Sequence, residues 1–276
     1  MTASILITLF GIPLLMALLT YTLYCYEETN STGRPLPFYL NLSLRTVLHS
    51  ILSEILILLL YPLGLRRSLW VRPSQGKALV VLVHGLFHNQ GAWILCRRWL
   101  HRRGFATSCF SYASWKSDWE QTTSELEKYL RVVMAEDPSR DVHLVGHSMG
   151  GLLLRAVLAG MEVPRQVRTL TTWGTPFGGS KLTPFALNSL GRYLRHNGEL
   201  VRKLGGLPFP PHVKSLAIRS PADNMVLPNT ALRCNVPGWM EHESSPVSHV
   251  AMLHSREVFT VTLDWIDRHT GDVETP

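Results

Sequence analysis

The sequence predicts an α/β domain, a mostly parallel central sheet with helices on both faces, preceded by a separate apolar N-terminal region. Three observations predict this. From Ala78 onward, short apolar strands alternate with longer helical patterns, the pattern of strands that return in parallel through crossover helices. Gly146-His147-Ser148-Met149-Gly150 sits where one of those strands gives way to a helix. And Met1 to Tyr26 contains no Asp, Glu, Lys, Arg or His.

The chain divides at about residue 75. Residues 1–75 are expected to form a separate apolar region and residues 76–276 the α/β domain. Some 200 residues suit one domain with a sizeable core. The formal net charge is +7. Most of its basic residues are spread through the chain, which fits solvated helix faces better than an anion-binding surface. No nucleic-acid motif accompanies the charge, and no nucleic-acid partner is expected. Cys25, Cys96, Cys109 and Cys234 fit neither a disulfide framework nor a metal site, and read as free core thiols in a reducing compartment.

The run Ser4–Tyr24 is long enough to cross a bilayer, which needs about 20 apolar residues. No basic stretch opens it and no small-residue cleavage site follows, so it reads as an anchor rather than a cleaved signal. A second apolar stretch, Thr46–Leu65, is interrupted by His49 and Glu54. A second span is the favoured reading, against an in-plane amphipathic helix or a helix packed on the enzyme. Arg66, Arg67, Arg72 and Lys77 follow it, and Arg34 and Arg45 follow the first. Basic residues beside spans stay inside, so the catalytic domain is expected on the cytoplasmic face.

The domain's elements follow in order. Strands are expected at Ala78–Val83, Phe105–Phe110, Asp141–Val145, Val167–Trp173 and Val213–Arg219. Helices are expected at Ala92–Arg103, where Gly104 is the stop, and at Ser117–Glu136, Met149–Gly160 and Arg256–Arg268. Gly174–Pro211 is the longest irregular stretch and could form a small lid over the strand ends.

Ser148 is the candidate nucleophile. A strand that turns sharply into a helix holds such a serine in a strained conformation, with its hydroxyl exposed beside the helix N-terminus. Acyl transfer also needs N–H groups aimed at the developing oxyanion. Met149, after the nucleophile, supplies one, and Leu86, in the loop after Ala78–Val83, supplies the other. His84 and His88 lie four apart, but in a loop and without a third ligand, so no metal is expected. The acid and base should follow the serine, each after a late strand. Asp223 fits the acid, whereas Asp141 opens its strand at the wrong end of the sheet. His249 fits the base, ahead of His242 and His254. His249 would take the Ser148 proton, Asp223 would orient the imidazolium, and water would release an acyl-enzyme.

His-Gly-Leu at His84–Leu86, Gly-His-Ser-Met-Gly-Gly at Gly146–Gly151 and Trp-Gly-Thr-Pro-Phe-Gly-Gly-Ser at Trp173–Ser180 carry a resemblance. From about Ala78 to Ile266 the chain resembles the α/β-hydrolase superfamily, in its lipase and esterase branch. The last motif is similar to a segment of triacylglycerol lipases, with Phe177 where they usually carry His. The resemblance implies a serine carboxylic ester hydrolase acting on a lipid-like ester, with Ser148, Asp223 and His249 as triad, Leu86 and Met149 as oxyanion donors, and no cofactor. Expected partners are an acyl ester or lipid substrate and membrane lipids. A thioesterase, amidase or acyltransferase would use the same acyl-enzyme. An inactive membrane scaffold is the non-enzymatic alternative.

Overall fold

Alternating in-and-out side chains on the first strand fix the layers. In a computed structural model, which describes residues 7–70, 76–186 and 188–271, six parallel strands stand in the order β2-β1-β3-β4-β5-β6. They are β1 Leu79–Val83, β2 Ala106–Phe110, β3 Val142–His147, β4 Val167–Trp173, β5 Lys214–Arg219 and β6 Trp239–Glu243. Helices α1 Ile12–Thr32 and α2 Leu36–Gly64 precede the sheet. Helices α3 Ile94–Arg102, α4 Trp119–Ala135, α5 Met149–Gly160, α6 Ser189–Tyr193, α7 Glu199–Gly206 and α8 Arg256–Arg268 join or follow its strands. Leu79, Val81 and Val83 of β1 share one buried cluster with Leu126 and Leu130 of α4 and Leu152 and Leu153 of α5. Val80 and Leu82 share the other with Leu100 of α3 and Leu263 and Ile266 of α8. Successive strand side chains point to opposite faces, so one apolar strand feeds both layers.

Several sequence boundaries move. β3 runs to His147 rather than Val145, because Gly146 and His147 still pair with Thr172 and Trp173 of β4. β6 was not expected: it is a polar edge strand, Trp-Met-Glu-His-Glu, with no apolar run to betray it. α3 is shorter than Ala92–Arg103, since Gln90–Trp93 form a tighter 3-10 turn instead. α4 begins after Asp118, whose carboxylate accepts the Gln121 N–H at 2.7 Å and caps it. The irregular stretch 174–211 carries α6 and α7, although its Leu187 lies outside the described residues.

The N-terminal region is an antiparallel helical hairpin. α1 follows a π-helical turn, Ile7–Gly11, and continues past Tyr24 through Glu27 and Glu28 to a left-handed Gly33 cap. α2 begins at Leu36, ten residues before the apolar stretch read from sequence, because Asn41, Ser43 and Arg45 are helical without being apolar. Ser4, Ile5 and Leu6 of the expected span, Arg72 and the domain boundary at Gln75 lie outside the described residues. Both helices are long and apolar enough to be candidate spans. Cys25, Cys96 and Cys234 are buried, Cys109 is half-buried, and all four are free thiols.

Candidate active site

Parallel strands all end at one edge of the sheet, and the candidate residues gather there. Ser148 lies between β3 and α5 with φ 54° and ψ −126°. A non-glycine residue at that φ is strained. Two bonds hold it: Ser148 N–H donates to the Trp173 carbonyl at 2.8 Å, and Thr175 Oγ1 donates to the Ser148 carbonyl at 3.0 Å. Crossing helix and strand demand small residues here. A Cβ on Gly150 would fall 2.2 Å from the Val83 carbonyl oxygen.

The loop after β1 lies against the serine, since a Cβ on Gly85 would fall 2.8 Å from Ser148 Cβ. That loop is held by His84, whose ring stacks on Tyr112 at 4.3 Å. His84 Nε2 accepts the Tyr112 N–H at 3.3 Å, which assigns the ring proton to Nδ1, and Nδ1 donates to the Gly85 carbonyl at 2.8 Å. Burial lowers the His84 pKa to about 4, so the ring is neutral. Phe87 adopts φ 63°, and its N–H donates to Ser114 Oγ at 2.9 Å. Among the described residues, neither the Leu86 N–H nor the Met149 N–H has a hydrogen-bond acceptor. Met149 follows Ser148 in the chain, and Leu86 follows Gly85, which lies against it.

Asp223 follows β5 and is fully buried. Its Oδ1 accepts the N–H groups of Met225 and Val226 at 2.9 and 3.0 Å, so the carboxylate is held by its own turn. Its Oδ2 lies 2.6 Å from Nδ1 of His249, which is also buried. A short contact of this kind to a carboxylate leaves Nε2 as the free nitrogen of the ring. Gly174, at φ 57°, makes room for the pair: a Cβ there would lie 3.1 Å from both Asp223 Oδ2 and His249 Nδ1.

The rival bases lack this partner. His254 is half-buried, burial lowers its pKa to about 4, and among the described residues neither ring nitrogen has a hydrogen-bond partner. His242 lies 3.7 Å from Glu257, on the edge strand β6. Asp141 precedes β3, at the opposite end of that strand from Ser148, and accepts the Gly271 N–H at 2.7 Å. The structure thus brings Asp223 and His249 together at the sheet edge that holds Ser148. Among the described residues no hydrogen bond joins Ser148 Oγ to His249. Such contacts often tighten only when substrate is bound.

Sequence reasoning missed the residues that hold the pair. Asn224 Oδ1 accepts the His249 N–H at 3.2 Å, and Asn224 Nδ2 donates to Thr20 Oγ1 of α1 at 2.7 Å. Ser220 Oγ accepts the Val247 N–H at 2.9 Å and donates to the Val247 carbonyl at 2.6 Å, tying the acid loop to the base loop. His147 Nε2 donates to the His249 carbonyl at 3.0 Å. The signal available was local: Asn224 adjoins the candidate acid, and His147 adjoins the candidate nucleophile. A separate cavity of about 630 Å³ lies farther along α5, lined by Leu152, Arg155, Phe177 and Leu204. Phe177 packs edge-on against Trp239 there, with ring centres 5.5 Å apart.

The α/β hydrolase family model matches residues 80–269, so the chain belongs to the α/β hydrolase family. Triacylglycerol lipases of Pseudarthrobacter phenanthrenivorans and Burkholderia plantarii are each 33% identical over 119 residues, which is 40% of this chain. The match spans only 37% and 33% of those two relatives. Among solved structures, a Bacillus licheniformis lipase in mature form superposes with TM-score 0.58 at 17% identity, over 72% of this chain and 93% of that one. A Paleococcus ferrophilus monoacylglycerol lipase gives TM-score 0.53 at 16% identity, over 72% of this chain and 98% of that one. At these identities the solved structures share the fold with this chain, and the two curated relatives that match over part of their length are lipases.

Proposed function

We propose that this protein hydrolyses a lipid-like carboxylic ester through a Ser148–His249–Asp223 triad and an acyl-enzyme. The observation that most supports this is the 2.6 Å contact between Asp223 and His249, at the sheet edge that carries the strained Ser148. His249 Nε2 takes the Ser148 Oγ proton as Oγ attacks the ester carbonyl. Asp223 holds the ring through Nδ1 and stabilises the imidazolium. The Leu86 and Met149 N–H groups meet the oxyanion. The protonated His249 then gives its proton to the departing alcohol. Water, activated by the same histidine, releases the acid and restores Ser148.

The lipid character of the substrate rests on the triacylglycerol lipase relatives and on the outward leucines of the hairpin. The same leucines support a membrane anchor, and attraction of the basic residues beside them to the anionic lipid of the cytoplasmic leaflet favours that face for the catalytic domain. The test compares two histidines with p-nitrophenyl esters in detergent. His249→Ala should lower kcat by at least about 10³-fold, whereas His254→Ala should keep most of it. The reverse pattern would transfer the base to His254.

A further inference from the structure

We infer that the α1–α2 hairpin lies along the surface of one leaflet of a bilayer, its leucine face in lipid and its polar face on the catalytic domain, and does not cross the bilayer. This rests on the membrane anchor proposed above.

Each helix has two unlike faces. Thr20, Tyr24 and Glu28 of α1 follow one another at four-residue steps, and all are buried. Thr46, Ser50 and Ser53 of α2 do the same at helical spacing. The opposite faces present Leu15 and Leu18 of α1, and Leu44, Leu48 and Leu52 of α2, each more than half exposed at 65, 53, 74, 61 and 53%. That much contiguous exposed leucine calls for an apolar partner.

The catalytic domain grips the hairpin from end to end. At the turn end, Glu28 Oε1 accepts the Asn229 N–H at 2.5 Å, and Glu27 pairs with Lys181. Further along α1, Tyr24 donates to the Pro221 carbonyl at 2.6 Å and Thr20 accepts from Asn224 at 2.7 Å. At the far end of α2, Asn89 Nδ2 donates to the Tyr61 carbonyl at 2.9 Å, and Gln90 Nε2 to the Gly64 carbonyl at 2.8 Å. α2 has 29 residues, which at 1.5 Å per residue is roughly 43 Å. The hydrocarbon core of a bilayer is about 30 Å thick. A crossing hairpin would carry Lys181, Asn224 and Gln90 across that core with it, where polar surface has no water to solvate it.

Arg45 and His49 give an independent reason. Both are exposed on α2, one turn apart, beside Leu44 and Leu48. Arg45 lies nine residues into the helix, so in a crossing helix it would sit roughly 14 Å deep, near the bilayer centre. Arginine is among the costliest residues there. In a helix lying flat, its long side chain reaches the headgroups, where anionic lipid attracts it.

The test uses the full-length protein in vesicles of phosphatidylcholine and phosphatidylglycerol, with single cysteines and a membrane-impermeant maleimide. The sites are a cysteine appended to the N-terminus, Arg34→Cys in the hairpin turn and Lys128→Cys on exposed α4. Unaltered protein is the blank, because its thiols are buried or half-buried. The inference expects all three sites to react from the same side. Labelling of Arg34→Cys only from the side opposite Lys128→Cys would mean two spans and overturn it. Labelling of the N-terminal cysteine only from the opposite side would mean one span and overturn it as well. Failure to float with vesicles while short esters are still turned over would overturn the anchor and leave the enzyme reading standing. A second variant, Leu44→Glu with Leu48→Glu, should weaken vesicle binding by about tenfold or more and leave soluble short-ester turnover within about twofold. Unchanged vesicle binding would overturn the assignment of that face to lipid.

Discussion

The α/β domain and the N-terminal hairpin differ in what they show outside and in how much polar surface they bury. The domain hides Val80, Leu82, Leu144 and Leu153 and keeps most of its charge outside. The hairpin hides Thr20, Glu28, Thr46, Ser50 and Ser53 and shows leucine outside. The difference teaches that apolar composition does not say which face of a helix meets which neighbour. The hairpin's few polar residues carry its structural information. Thr20 and Glu28 dock it on the segment after β5 through Asn224 and Asn229, and α2 also packs against the Val250–His254 turn.

The largest effect should come from the domain itself. Asp223→Asn keeps the shape of the acid while removing the charge that fixes the His249 tautomer. It should lower kcat for p-nitrophenyl butyrate by about 10⁴-fold. Retained turnover would mean that a different acid serves the base.

A smaller effect should cross from hairpin to site. Thr20→Val removes the acceptor of Asn224 Nδ2, and Asn224 in turn holds the His249 N–H. Losing one buried hydrogen bond corresponds to about 1–2 kcal/mol, so kcat should fall roughly tenfold with little change in KM. Thr20→Ser, which keeps the oxygen, should restore it. A Thr20→Val enzyme at full activity would break the link between the two regions.

The last effect is on stability rather than turnover and is confined to the domain. His84, His143 and His147 are fully buried, and burial lowers the first two from 6.5 to about 4 and about 3, and His147 well below 6.5. They stay neutral in the fold but take up protons once unfolded. Stability should therefore be complete above about pH 6.5 and fall as pH drops toward 4, by up to about 1.4 kcal/mol per pH unit for each histidine. Urea midpoints read at Trp93 and Trp173 fluorescence between pH 7 and pH 4 would measure it. A flat profile would mean these rings are solvated or charged in the fold.

The sequence made much of the domain legible because its signals are local. Apolar runs marked β1, β2, β4 and β5, and α5 starts at Met149 and ends at Gly160 as its pattern predicts. β6 was hidden because an edge strand such as Trp239–Glu243 needs no buried run. The hairpin's extent was hidden for a related reason. Ser43 and Arg45 look like the end of an apolar segment, yet Ser43 faces the partner helix, where Cys25 Sγ lies 3.2 Å from its Oγ. Candidate site residues announced themselves by motif and order along the chain. Their supports did not, because Thr20 and Asn224 are 204 residues apart and meet only in the fold.

The central claim is that Ser148 is a reactive nucleophile, and a fluorophosphonate probe tests it most directly. Detergent-solubilised, folded wild type should be labelled at one serine, and Ser148→Ala should not be labelled. Wild type that stays unlabelled, or Ser148→Ala that labels as well as wild type, would contradict it.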